Sequence, residues 1–358
     1  MPLILVALFA LASSCGSDSS QRSSAPRPGN EMESTPNYDL HEWGLITTSP
    51  RGFELGAGPG QRVTPDMMLV VDKPILYVHA DTAFELSIQV TPRAGLIFAE
   101  RWPPMTDDAW AVSVSPDACR AQHTYPSTCS APDGYCEVAE LALYETDDAA
   151  CLRAGEHLLP LLFYRMRHDG PGPALPLAFE KSGDAIVVHN RSWSGGIGAL
   201  WRVSWDGQTG ATHAARADVP ARGASTSIAR PTTGGVQAAR AALRADLGEH
   251  GLTAHETDAF MRAWDEALFG ESATSDRRTP QDREDGDDGT PVDGPVQVND
   301  ETVDSLTNEI PTIEGGPRIA DVLLYWLPRA DIDALAAIDA QPAPRALRRA
   351  ILVRADVR

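Results

Sequence analysis

The chain has 358 residues, 42% of them apolar, and a formal net charge of −20 from 50 acidic against 30 basic side chains. That length suits one large or two ordinary domains. An acidic chain without a basic stripe cannot release phosphate counterions on binding, which excludes a nucleic-acid partner, and the same charge opposes electrostatic docking on anionic lipid. Only two basic residues are lysines, Lys73 and Lys181, so the excess of Arg and Ala reads as a GC-rich coding bias rather than an Arg-based function.

The chain opens on LILVALFALA, residues 3–12. About ten apolar residues fall short of the roughly 20 that a bilayer-spanning helix needs and suit the apolar region of a signal peptide. The small residues Ala12, Ser13 and Ser14 then lead to Cys15. This stretch resembles a bacterial lipobox, where cleavage ahead of the cysteine is coupled to lipid attachment at its sulfur. Residues 1–14 are therefore expected to be a signal peptide and Cys15 the lipidation site, with plain secretion as the alternative. Residues 15–39 are polar and lack apolar content to bury, which predicts a flexible linker that holds a folded domain off the membrane. Gly16 after the cysteine, where inner-membrane lipoproteins carry Asp, resembles Gram-negative outer-membrane lipoproteins. The expected localisation is the outer membrane, facing periplasm or exterior, with membrane contact through the lipid anchor alone.

From residue 40 to 230 the signals are strands. DKPILYVHA, FELSIQVTP, WAVSVSP, LLPLLFYRMRH, DAIVVHNRS and GALWRVSWDG are short β-branched and aromatic runs punctuated by Gly, Pro, Asp and Asn. No helix-length segment separates them, which predicts antiparallel pairing and a β-sandwich-like domain. In FELSIQV, Phe84, Leu86, Ile88 and Val90 share a face. In LWRVSW, Leu200 faces inward with Val203 or Trp205, depending on a bulge.

Four further cysteines, Cys119, Cys129, Cys136 and Cys151, fall in one excursion spanning residues 117–152. In an exported chain an even, clustered set reads as disulfides. Three pairings exist; Cys119–Cys129 with Cys136–Cys151 closes the shortest loops and is the expected one. The gaps are too wide for paired zinc-ligand spacing. CEVAELALYETDDAAC reads as a short helix crossed by a bridge.

The period changes at residue 235. VQAARAALRADLGEHG and LTAHETDAFMRAWDEALFG predict a helical hairpin over 235–270. Thr253 and Glu256 form a capping box, and Phe260, Trp264 and Leu268 make an apolar stripe. Residues 271–317 are acidic and polar, with the composition of a disordered insertion. The calcium-loop template is not met, because Gly286 and Gly289 stand at the wrong offsets. Over 318–358, VLLYWLP predicts a strand, RADIDALAAI a short helix, and RALRRAILVRADV a final segment whose end reads as a strand. The class is α+β, mainly β: a β-sandwich-like antiparallel body with the C-terminal helical hairpin packed on it.

His41-Glu42-Trp43-Gly44 resembles the opening of a group of uncharacterised exported proteins of myxobacteria and planctomycetes. KPILYVHAD (73–81), LLFYR (161–165), AWDEALFG (263–270) and LLYWLPR (323–329) resemble the same group, and DGYCEVAELALYETDDAAC its myxobacterial branch. The resemblance implies export and an insertion at 271–317. It carries over no catalytic residue.

Complete catalytic motifs are missing. HEWGL has Leu45 where H-E-x-x-H needs its second His; RSWSGGIG lacks the first glycine of a nucleophile elbow; GAGPGQR lacks the GK[ST] of a phosphate loop. His41 and Glu42, with the distant His79, Asp81 and His189, are the candidate ligands for a divalent metal. The bland alternative has Trp43 anchoring the first strand while His41 and Glu42 hydrogen-bond locally. Trp102, Trp110, Trp193, Trp201 and Trp205 are read mainly as core and rim, with a sugar-stacking surface as the alternative. Tyr164 and Arg165 offer two readings, a buried strand with a functional cationic edge or an Arg165 stacked on or bonded to a core carboxylate, and the second is expected. No catalytic residue and no cofactor is expected. The function expected is a non-enzymatic binding or structural module of the cell envelope with a carbohydrate or protein ligand. The alternative is a metal-dependent hydrolase built on His41 and Glu42.

Overall fold

The computed structural model describes residues 36–48, 69–119, 123, 125–128, 136–168, 173–206, 211–269 and 320–357. Cys15, Cys129, the glycine-rich GAGPGQR stretch and the acidic segment 271–317 lie outside the described residues.

The strands are β1 (Tyr38–Thr48), β2 (Leu69–Ala80), β3 (Phe84–Pro92), β4 (Leu96–Trp102), β5 (Ala109–Ser115), β6 (Cys151–Ala154), β7 (His157–Leu159), β8 (Leu162–His168), β9 (Leu177–Ser182), β10 (Ala185–Asn190), β11 (Leu200–Asp206), β12 (Ala211–Ala217), β13 (Ser225–Ala229), β14 (Ala320–Trp326), β15 (Ala336–Gln341) and β16 (Ala346–Asp356). Helices are α1 (Val236–Glu249), α2 (Ala254–Phe269), α3 (Arg329–Leu335) and a 3₁₀ helix over Glu137–Tyr144. The fold is mainly β, with helices concentrated towards the C-terminal half.

Three sheets form among the described residues. The largest has the order β12-β11-β14-β16-β1-β2-β8-β4, the second β15-β3-β5-β6-β7, the third β13-β10-β9. Every pairing is antiparallel except one: β1 runs parallel to β16. This departs from the expected all-antiparallel body. The two strands lie at opposite ends of the chain, so most of the molecule forms the crossover that a parallel neighbour requires.

The large sheet is buried on both faces. One face packs on α1, α2 and the 3₁₀ helix through Trp43, Tyr77, Phe163, Leu324, Leu243, Phe260 and their neighbours. The other packs on the two smaller sheets and α3 through Leu40, Val78, Val353, Leu86, Ile88, Ile186 and Ile332. Double burial explains why β1 is covered along nearly its whole length, where a sheet with one wet face would alternate. It also forces the polar pair inside β1, His41 and Glu42, to find partners on opposite faces.

Several elements match their sequence pattern. In β3, Leu86, Ile88 and Val90 are buried and the residues between them exposed. In α2, Phe260, Trp264 and Leu268 all face the core. Others needed the tertiary context. β11 keeps an unbroken register with both neighbours and needs no bulge; Leu200 and Val203 are buried on opposite faces, and Trp205 is exposed. RADIDALAAI ends its helix at Leu335 and continues as β15, because Ala336–Gln341 pairs with β3.

The disulfide pairing is a correction. Cys119 is bonded to Cys151, with Cα atoms 4.7 Å apart, and Cys136 is a free thiol. The cause is register. β5 pairs with β6 so that Ser115 faces Cys151, and Cys151 N–H donates to the Asp117 carbonyl at 3.1 Å. The chain leaving β5 therefore carries Cys119 over the start of β6. The bridge closes a sequence separation of 32 residues, worth roughly 3–4 kcal/mol in the chain-entropy account.

Candidate functional site

The pairing of β1 with β2 sets His41 opposite Tyr77 and Asp39 opposite His79. His41 and His79 are thus diagonal neighbours on one face, close enough for long side chains to meet. Their rings do meet, with centroids 4.5 Å apart. The face is the one that α2 covers.

Glu256 arrives from α2. Thr253 precedes the helix, and the expected capping box forms: Glu256 N–H donates to Thr253 Oγ1 at 3.1 Å, and Thr253 N–H donates to Glu256 Oε2 at 2.7 Å. The same carboxylate meets both imidazoles. His41 Nδ1 lies 2.9 Å from Oε2 and 3.1 Å from Oε1, and His79 Nε2 lies 2.9 Å from Oε1. The other ring nitrogen of His79, Nδ1, is 3.1 Å from the backbone carbonyl of Asp148, which follows the 3₁₀ helix.

Glu256 is fully buried. Burial pushes its carboxyl up, but the hydrogen bonds and charges of His41 and His79 outweigh that and hold it down at about 2. Burial pushes the His79 imidazole down; the hydrogen bond and charge of Glu256, with the charge of Asp148, outweigh it and lift His79 above its ordinary value. The cluster ties β1, β2 and α2 together with paired charges out of water. Its two imidazole nitrogens and one carboxylate oxygen lie within 4.8 Å of one another, a donor set that suits zinc and other borderline divalent metals.

Of the five sequence candidates, His41 and His79 converge and three do not. Glu42 points to the opposite face of β1, where Tyr164 Oη–H and Arg349 Nε–H donate to it. Arg349 also donates to Asp333 Oδ1 at 2.8 Å and to the Ala336 carbonyl at 2.7 Å, so Glu42 is half of a buried ion pair joining β1, β8, β16 and α3. Asp81 is exposed in the bend after β2. His189 lies on β10 in the three-stranded sheet, 3.5 Å from Glu180 and half-buried. The residue of the cluster that the sequence does not single out is Glu256. Its signal was present, because Thr253-x-x-Glu256 was read as a cap, but a cap does not reveal what else its carboxylate faces.

The remaining polar and aromatic candidates are accounted for locally. Arg165 Nε–H donates to Glu100 Oε2 at 2.6 Å, the core carboxylate expected for it. Trp110 and Trp201 are buried and Trp102 and Trp193 half-buried, leaving Trp205 the exposed tryptophan of the group.

No family profile and no curated protein matches this chain. Among solved structures it is similar to the Fcho1 Mu homology domain of Danio rerio, solved with a bound Eps15 peptide. The identity is 8% and the TM-score 0.31, over 90% of this chain and 97% of the other. A likeness at that level assigns neither a shared fold nor a shared ligand.

Proposed function

We propose that this chain is an exported lipoprotein of the cell envelope whose folded body, a β-sandwich-like core carrying a helical hairpin, is a binding or structural module rather than an enzyme. The observation that carries the reading is the Cys119–Cys151 disulfide, since such bonds persist in oxidising compartments. The apolar start of the chain, Cys15 and the polar stretch behind it fit the same compartment. The partners that suit the reading are an envelope carbohydrate or protein, with lipid met only through the anchor.

A metal-dependent hydrolase is the second reading, favoured by the convergence of His41, His79 and Glu256. Hydrolysis needs an open coordination position for water and substrate. Here the side chains of His41 and Glu256 are only 6% and 0% exposed, which supports holding the fold together over turnover.

The test is fractionation of cells making the full chain. The native protein is expected in the membrane fraction with the Cys119–Cys151 bridge intact in unreduced peptides, and Cys15→Ser is expected to release it into the soluble phase. Unchanged membrane association of Cys15→Ser, or reduced cysteines throughout, would overturn the proposal.

A further inference from the structure

We infer that His41, His79 and Glu256 form a buried site for one divalent transition metal, zinc by its donor set. Such a metal would lock α2 onto β1 and β2. The inference is independent of the compartment proposed above.

The argument starts at His79. Its Nδ1 faces the Asp148 carbonyl, which can only accept, so Nδ1 carries a proton. In the neutral ring Nε2 is then a bare lone pair, and it faces Glu256 Oε1 at 2.9 Å. Two acceptors at that distance need a cation between them. Either a second proton or a metal meets the need, and a histidine whose far nitrogen is fixed by a carbonyl is the usual posture of a metal ligand. Glu256 is oriented in the same way: Thr253 N–H holds Oε2, and Oε1 lies within 3.1 Å of both imidazoles.

The donor set supports the metal: two imidazole nitrogens and one carboxylate oxygen lie within 4.8 Å of one another, the composition of a zinc site with three protein ligands.

The geometry is close to what the metal requires. Bonds of about 2.0–2.1 Å at tetrahedral angles set ligand atoms about 3.3–3.4 Å apart. Measured to the one oxygen Oε1, His41 Nδ1 stands at 3.1 Å and His79 Nε2 at 2.9 Å, and no two of the three donor atoms are more than 4.8 Å apart, so the carboxylate needs to open by roughly 0.3–0.5 Å and the imidazoles to close by at most about 1.5 Å.

The decisive measurement is zinc binding to the untagged full-length chain after chelator treatment, followed by competition with a chromophoric chelator, with circular dichroism as the check on folding. The expected result is one zinc per chain, a higher melting temperature with zinc, and a tetrahedral visible band with cobalt(II). His79→Ala and His41→Ala are expected to weaken binding at least about tenfold, the size of effect seen when metal-site residues are lost. Glu256→Gln keeps a capping acceptor and is expected to lose the metal while still folding. His189→Ala is the control and is expected to bind as the native chain does. A folded native chain that takes up no stoichiometric zinc or cobalt would overturn the inference. So would binding that survives both His79→Ala and Glu256→Gln.

Discussion

The consecutive helices α1 and α2 each press a carboxylate against the large sheet, and the two carboxylates are held in opposite ways. On α2, Glu256 meets two imidazoles and is held at about 2. On α1, Asp246 meets a neutral donor, the indole N–H of Trp326 at 2.9 Å. Burial pushes the Asp246 carboxyl up, and the indole reverses this only in part, so its pKa stays above the ordinary value. Glu256 is the more deeply buried of the two, so the charge of the donors and not burial decides the outcome. His250, at the end of α1, repeats the lesson. It packs 5.1 Å from the Trp326 ring, and burial without a carboxylate partner pushes its imidazole down to about 4. His79, equally withdrawn but facing Glu256, is lifted.

The largest effect should come from removing the charged clasp. Glu256→Ala deletes the cap and leaves two buried imidazoles without their acceptor, at a cost of about 3–5 kcal/mol in denaturant unfolding. Glu256→Gln, which can still cap, should recover about 1 kcal/mol of that. Equal losses for the two variants would mean that the clasp, not the cap, carries the whole effect.

Next comes pH. The folded state holds His250 neutral, so below the ordinary imidazole value the unfolded chain binds more protons there. Stability from this group is complete above about pH 6.5 and declines towards pH 4, by up to about 3 kcal/mol. His79 has the opposite sign: its contribution is present below about 6.5 and is lost as pH rises through its lifted value. His250→Gln should flatten the acid side of the stability profile and leave the alkaline side alone. An unchanged acid slope would show that the α1 contact does not titrate.

Gly198 probes the Asp246 contact sterically. It has φ of +84°, and a Cβ there would stand 2.5 Å from Asp246 Oδ2 and 2.8 Å from Trp326 Cδ1. Gly198→Ala should cost about 1–3 kcal/mol, read as a lower denaturation midpoint. The smallest effect is expected from Asp246→Asn. It keeps an acceptor for the indole and removes a carboxylate that burial disfavours, so stability at neutral pH should move by less than about 1 kcal/mol. A loss as large as that of Glu256→Ala would erase the contrast between the helices.

What the sequence determined by itself is local. The Thr253–Glu256 cap, the Phe260–Trp264–Leu268 stripe and the alternation of Leu86, Ile88 and Val90 each follow from neighbours within a turn or a strand, where backbone geometry dictates which side chains meet. The tertiary structure decided everything that depends on register between distant strands. Cys119 meets Cys151 because Ser115 pairs with it across β5 and β6, although loop length alone favoured Cys129. His41 meets His79 because β1 and β2 align Tyr77 opposite His41. Glu256, 215 residues from His41, joins them only because α2 covers that face. Adjacent residues can also be parted: His41 and Glu42 stand side by side in sequence, yet strand alternation sends one to a helix and the other to Arg349 on the far side of the sheet.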